Sequence, residues 1–226
     1  MTASLLVIFA TLVASLFACP FVARAASFEG ARAAQGRQAA RSGRAGQVVQ
    51  TRRRPARQRK LRRPDVIFVP TPPETVDEML RQANLKAGDV LYDIGSGDGR
   101  IPIAAARQYG VRAVGIDIDA RLVEEARENA HREGVSDLVT FRHEDMFVAD
   151  LRGATVVTLY LSDTLNVMLR PKLLRELRPG TRIISHDFTM GDWKPEKTVR
   201  VPWKNLYRTV YVWTVPRRNG RGARRR

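Results

Sequence analysis

From Asp65 onward, short β-branched runs alternate with stretches whose apolar residues recur every three or four positions. That alternation builds a parallel sheet flanked by helices. Thr71-Pro72-Pro73-Glu74 predicts a first helix, with Thr71 as cap and Glu74 completing a capping box, reaching about Ala83. Residues 89–94 read as the first strand, followed by a glycine-rich turn and a helix through Ala104, Ala105 and Ala106 to Gly110. Residues 112–117 form the second strand, and Asp119 caps a helix that carries Leu122, Val123, Ala126 and Ala130 at helical spacing and stops near Gly134. Strands are predicted at 138–141, 155–160 and 182–186, with a helix interrupted by Pro171 between the last two. Residues 199–201 and 207–215 predict an antiparallel hairpin at the sheet edge. The expectation is an α/β domain over residues 64–216, with seven strands and helices on both faces.

The N-terminal pattern differs. Residues 2–23 carry no charged side chain, and 5–22 are dominated by Leu, Val, Ile, Phe and Ala. A bilayer-crossing helix needs roughly 20 such residues, so 1–25 read first as a membrane anchor. A signal peptide competes, because Ala23-Arg24-Ala25 has a small-x-small pattern, although the usual positive start is missing. Leu16-Phe17-Ala18-Cys19 also resembles a lipoprotein box, apart from the bulky Phe17. All flanking positive charges follow the span, which predicts a membrane-associated protein with its domain in the cytoplasm; export after cleavage is the alternative. Residues 26–63 lack apolar periodicity and are rich in Ala, Arg, Gln and Gly, predicting a disordered linker whose cations would lie on anionic headgroups.

Charge changes the picture once it is located. The net +16 comes from the ends: thirteen Arg or Lys in 24–63, and six Arg in the basic tail 217–226. Residues 64–216 hold twenty basic and twenty-two acidic residues. A near-neutral domain argues against a catalytic face that grips a phosphate backbone, so nucleic acid is not the expected partner. The sole cysteine, Cys19, excludes an intrachain disulfide and a cysteine metal cluster, and no His, Asp or Glu group has metal-ligand spacing. His131 and His143 read as surface residues.

The candidate chemistry sits at the turn Asp93-Ile94-Gly95-Ser96-Gly97-Asp98-Gly99. Dinucleotide sites use G-x-G-x-x-G, but here the third position is Arg100. Asp93 would repel a pyrophosphate and suit the ammonium of an amino-acid-like ligand. Asp117, ending the second strand, is placed to accept from two ribose hydroxyls. Asp145, in Arg142-His143-Glu144-Asp145-Met146, would accept from an adenine amino group. With the neighbours Ile118 and Met146, the expected cofactor-binding set is Thr71, Asp93, Gly95, Ser96, Gly97, Gly99, Asp117, Ile118, Asp145 and Met146. Each acidic residue alone is equally a turn or cap residue; together they reinforce one another.

Asp93, the alternate glycines, Asp117 and Asp145 closely resemble the seven-strand S-adenosylmethionine-dependent methyltransferases over residues 65–216. The resemblance implies a Rossmann-like sheet and S-adenosylmethionine as methyl donor. Phe68-Val69-Pro70-Thr71-Pro72-Pro73, the helix bearing Met79-Leu80, the run from Tyr92 to Ile101, and Trp193-Lys194-Pro195 look like the protein-lysine methyltransferases of the ATP synthase c-ring and the adenine nucleotide translocase, with their bacterial relatives. That implies a lysine on a membrane-embedded protein as acceptor. The long Arg-rich linker departs from the pattern. Methyl transfer to an amine mainly requires alignment, so the ends of the fourth and fifth strands nominate Tyr160, Ser162 and Asp163 as catalytic, with His186 and Asp187 behind them. Ser162 and Asp163 also suit a helix cap, and Tyr160 a core position. The alternatives are a small-molecule or RNA methyltransferase of this fold, or a non-catalytic donor-binding module.

Overall fold

Alternation of facing is what layers this domain. In the computed structural model, which describes Leu61 and residues 67–217, neighbouring strand residues send their side chains to opposite sides of one sheet. Leu91, Val156 and Ile184 join one buried cluster, whereas Tyr92, Val157 and Ile183 join the other. The strands are β1 (Val90–Ile94), β2 (Arg112–Asp117), β3 (Val139–His143), β4 (Val156–Leu159), β5 (Arg182–His186), β6 (Lys197–Trp203) and β7 (Leu206–Thr214). The helices are α1 (Pro73–Ala83), α2 (Arg100–Tyr109), α3 (Ala120–Arg132) and α4 (Asp163–Glu176).

The sheet order is β3-β2-β1-β4-β5-β7-β6; β7 runs antiparallel between β5 and β6, and the other six strands run in one direction. The seven-stranded α/β expectation is met, hairpin included. Every residue of β4 is buried, as expected of a central parallel strand covered on both faces. Helices α1, α2 and α3 cover one face through Met79, Leu80, Ile101, Ala105, Val123 and Ala126. On the other face α4 presents Leu165, Leu169 and Leu173 to Val157, Ile183 and Trp213. Burying each of these leucines is worth about 1.5–3 kcal/mol. The chain steps outward from β1 to β3 and then returns to β4, so the strand order reverses between β1 and β4. Ligands of such sheets bind beyond the carboxyl ends at that reversal.

Two local expectations are corrected. Thr71 does not cap α1: the N-cap is Pro72, with no side-chain cap. A capping box needs an N–H at the N-cap, which proline lacks. Pro171 does not interrupt α4, which runs unbroken from Asp163 to Glu176. Loss of one backbone bond is offset by the buried leucines on either side of it. By contrast Asp119 does cap α3, accepting from Arg121 N. No helix among the described residues is long and apolar enough to cross a membrane. The expectations for 1–25, for 26–63 apart from Leu61, and for the tail beyond Arg217 lie outside the described residues.

Candidate active site

At the end of β1 the backbone folds back on β2: Gly95 N and Ser96 N both donate to Ile116 O, at 2.8 and 3.1 Å. Gly97 and Gly99 then adopt φ of 53° and 81°, a region that side chains with a Cβ disfavour. Space is the second constraint. A Cβ on Gly97 would lie 2.2 Å from the Phe68 ring, and one on Gly99 would lie 2.5 Å from Phe141 and 2.9 Å from Ala126. The turn is thus closed above by Phe68 and wedged below against α3 and β3.

Asp117, the last residue of β2, holds this turn in place. Its Oδ2 accepts from Gly97 N at 2.8 Å and its Oδ1 from Asp119 N at 2.9 Å. A carboxylate has about four acceptor positions, so two backbone bonds leave capacity for two hydroxyls.

A cavity of about 640 Å³ opens beyond the carboxyl ends of β1, β2 and β4. Asp93, Gly95, Asp117, Ile118, Asp145 and Met146 of the expected cofactor-binding set all line it. Asp93 is 2% exposed and accepts from Thr158 Oγ1 at 2.7 Å. Burial, reinforced by the nearby Asp117 and Asp98 charges, pushes its carboxyl up to about 8. A cation arriving beside it would restore the anion. Asp145 is buried and accepts from Phe147 N at 2.9 Å. Ser96, Gly97 and Gly99 are not in the cavity wall and shape it through the backbone.

The segment before α1 forms the roof: Ile67, Phe68, Val69 and Thr71 all line the cavity. Arg100 ties that roof to the turn. Its Nη1 donates to Thr71 O at 2.8 Å, while Asp98 holds the guanidinium through Nε at 3.0 Å and Nη2 at 2.5 Å. In the sequence Arg100 stands out only as the residue in place of a third glycine, and Phe68 only as part of the family-like run Phe68 to Pro73. The signal was present as an Asp-x-Arg pair just inside a helix start.

Tyr160 lies just past β4, half-buried and in the cavity wall with Leu161, Leu165 and Phe188. Its ring stacks on His186, centroids 3.9 Å apart at 27°, and on Phe188 at 5.7 Å and 22°. Burial raises the Tyr160 hydroxyl, which therefore stays protonated at neutral pH. His186 is fully buried, with Nδ1 3.2 Å from Thr71 Oγ1. Burial pushes its imidazole down to about 4, leaving it neutral. Thr71 therefore serves as a bridge, its carbonyl bound by Arg100 beside the glycine turn and its hydroxyl against His186 behind Tyr160.

Ser162 and Asp163 are placed differently. Ser162 caps α4, accepting from Leu165 N at 3.2 Å. Asp163 Oδ1 accepts from Thr189 N and Oγ1, at 2.7 and 2.8 Å. Neither lines the cavity, so the geometry gives both a structural task. Asp187 holds a positive φ of 58° and binds Thr209 N at 2.7 Å and Arg208 Nη1 at 3.0 Å. His131 and His143 are exposed. Among the described residues no group of three or more His, Cys, Asp or Glu could hold a metal ion.

Residues 93–197 match the ANTKMT methyltransferase domain family. A protein-lysine N-methyltransferase of Saccharolobus islandicus (strain REY15A) is 40% identical over 153 residues, 67% of this chain and 95% of that protein. A lysine N-methyltransferase of Mus musculus named for an ATP synthase component is 33% identical over 164 residues, 73% of this chain but only 64% of the mouse protein. Among solved structures, an RNA methyltransferase from Salinibacter ruber in complex with S-adenosyl-L-homocysteine is 52% identical. It has a TM-score of 0.63, covering 70% of this chain and 100% of that one. With likeness running through nearly the whole of one lysine methyltransferase, and a donor cavity at the β1–β4 reversal, this chain belongs to the S-adenosylmethionine-dependent protein-lysine N-methyltransferases.

Proposed function

We propose that this enzyme methylates a lysine of a membrane-associated protein, with its catalytic domain on the cytoplasmic side. The observation that carries the choice of acceptor is the charge of the cavity. Six acidic side chains line it, the buried Asp93, which keeps its proton until a cation arrives, and Asp98, Asp117, Asp119, Glu144 and Asp145, against two guanidiniums, Arg100 and Arg121. Both guanidiniums are already paired, with Asp98 and with Glu125. Such a field draws in an ammonium and repels a phosphate backbone. The uncharged run 2–23 and the Arg-rich stretch after it support the membrane and the orientation.

Bound S-adenosylmethionine supplies an electrophilic methyl on a sulfonium. The protein's own contribution is alignment, since Asp117 and Asp93 fix the donor end while Tyr160 and Phe188 wall the acceptor end. The lysine stem packs along the aromatic rings, which also favour its cationic form during entry. The lysine ammonium would first give its proton to solvent; the free amine, its nitrogen oriented by the Tyr160 hydroxyl, would then take the methyl as the methyl–sulfur bond breaks, and the neutral thioether of the spent donor would be the leaving group.

RNA methylation is the second reading, favoured by the Salinibacter ruber likeness. Transfer of labelled methyl by the full chain into a membrane fraction and into total RNA, assayed in parallel, separates the two. The expected result is label in protein, recovered as methyl-lysine after hydrolysis; label in RNA overturns the proposal. Protection of the domain from added protease in right-side-out vesicles tests its side of the membrane.

A further inference from the structure

The β6–β7 hairpin projects past the carboxyl end of β5. Pairing of β5 with β7 ends at His186 with Val210, while β7 begins four residues earlier at Leu206 and pairs with β6 out to Trp203. At about 3.3 Å per residue the tip stands about 13 Å beyond the carboxyl end of β5. That is the sheet edge on which the cavity opens. Arg208 fastens the overhang to Asp187, whose neighbour His186 stacks on Tyr160 in the cavity wall.

The chemistry of this tip is one-sided. No acidic residue occurs from Lys197 to Pro216. Leu206 is 64% exposed and Tyr207 57%, the first two residues of β7 after the two-residue connection Lys204-Asn205. Arg208 lies 4.2 Å and Lys204 4.7 Å from the Trp203 ring, and Arg200 lies 4.2 Å from that of Tyr207. An exposed leucine, two aromatic rings and a collar of cations are what a bilayer interface accepts, with rings at headgroup level and cations against phosphates. A single-stranded nucleic acid would need free ring faces on which to stack its bases. Here cations already occupy ring faces, and Leu206 would have no partner.

We propose that the hairpin tip, Trp203 to Arg208 with Arg200, docks in the headgroup region of an anionic bilayer and turns the acceptor end of the cavity toward the membrane surface. The purpose of this docking rests on a membrane-associated acceptor, but its existence does not. Contact is read from Trp203 fluorescence in the full chain, mixed with anionic vesicles carrying brominated lipid. The difference between the wild type and Trp203→Phe isolates that ring from buried Trp213 and from Trp193.

The expected result is quenching of the Trp203 component by anionic vesicles, much weaker with neutral ones, and at least about threefold weaker in Leu206→Asp. Leu206 is exposed and outside the cavity, so this second variant keeps its fold. Quenching equal in the wild type and Trp203→Phe overturns the proposal, as does a Trp203 signal that responds to total RNA and not to vesicles. Methyl-lysine formed on a membrane protein without this quenching would sink the docking alone. Quenching without methyl-lysine would sink the acceptor assignment alone.

Discussion

The guanidinium of Arg100 reaches the carbonyl oxygen of Thr71 at 2.8 Å, so the first residue of the donor-site helix holds down the roof over its own glycine turn. A hydrogen bond from a charged group contributes about 1.5–3 kcal/mol when shielded. Arg100 is one-third exposed, so the lower end applies. Arg100→Ala is expected to weaken S-adenosylmethionine binding by about tenfold, measured by calorimetry, with little loss of thermal stability. Unchanged affinity would mean the roof closes without this contact.

Asp93 gives donor binding a pH dependence with a definite sign. Its folded value of about 8 lies above the ordinary carboxylate range, so between the two the folded chain holds a proton that the unfolded chain has lost. Stability of the ligand-free protein therefore falls as pH rises through that window. A donor ammonium needs the anion, so affinity rises over the same window, with a proton released on binding below about 8. Calorimetry in buffers of different ionisation enthalpy measures that proton. Asp93→Asn is expected to abolish the release and flatten the profile.

The two central glycines separate stability from binding. Gly99→Ala pushes a Cβ against Phe141 and Ala126 at a positive φ, and is expected to destabilise by about 1–3 kcal/mol in thermal or urea unfolding. Gly97→Ala meets only Phe68, a partly exposed roof residue that can swing away. Its expected signature is weaker donor binding with a much smaller loss of stability.

Tyr160 is the residue we propose for the acceptor side. Tyr160→Ala is expected to lower the methyl-transfer rate by at least about tenfold while leaving donor affinity within about twofold, if the Tyr160 and Phe188 wall receives the acceptor as proposed. Tyr160→Phe keeps the stack on His186 and isolates the hydroxyl. Binding and single-turnover measurements on both variants check this.

What was legible in the sequence was what local pattern decides. β2 and β5 match their predicted bounds because buried parallel strands read as apolar runs, and Asp119 is a cap because its partner is two residues away. Asp93, Asp117 and Asp145 meet in one cavity because each ends or follows a strand at the same sheet edge. Contacts distant along the chain were not legible. Thr71 finds His186 across 115 positions and Arg100 across 29, and no local signal announces either. Ser162 and Asp163 stood at a strand end like the true wall residues, but the start of α4 and Thr189 claim them.

The central claim is that the donor sits against Asp117. Calorimetric titration of the full chain with S-adenosylmethionine, in the wild type and in Asp117→Ala, tests it most directly. Removing this carboxylate strands the N–H groups of Gly97 and Asp119 as well as the ribose contacts. The predicted result is single-site binding in the wild type and none detectable in the variant, with the variant still folded by circular dichroism. Equal affinity in both proteins would contradict the site.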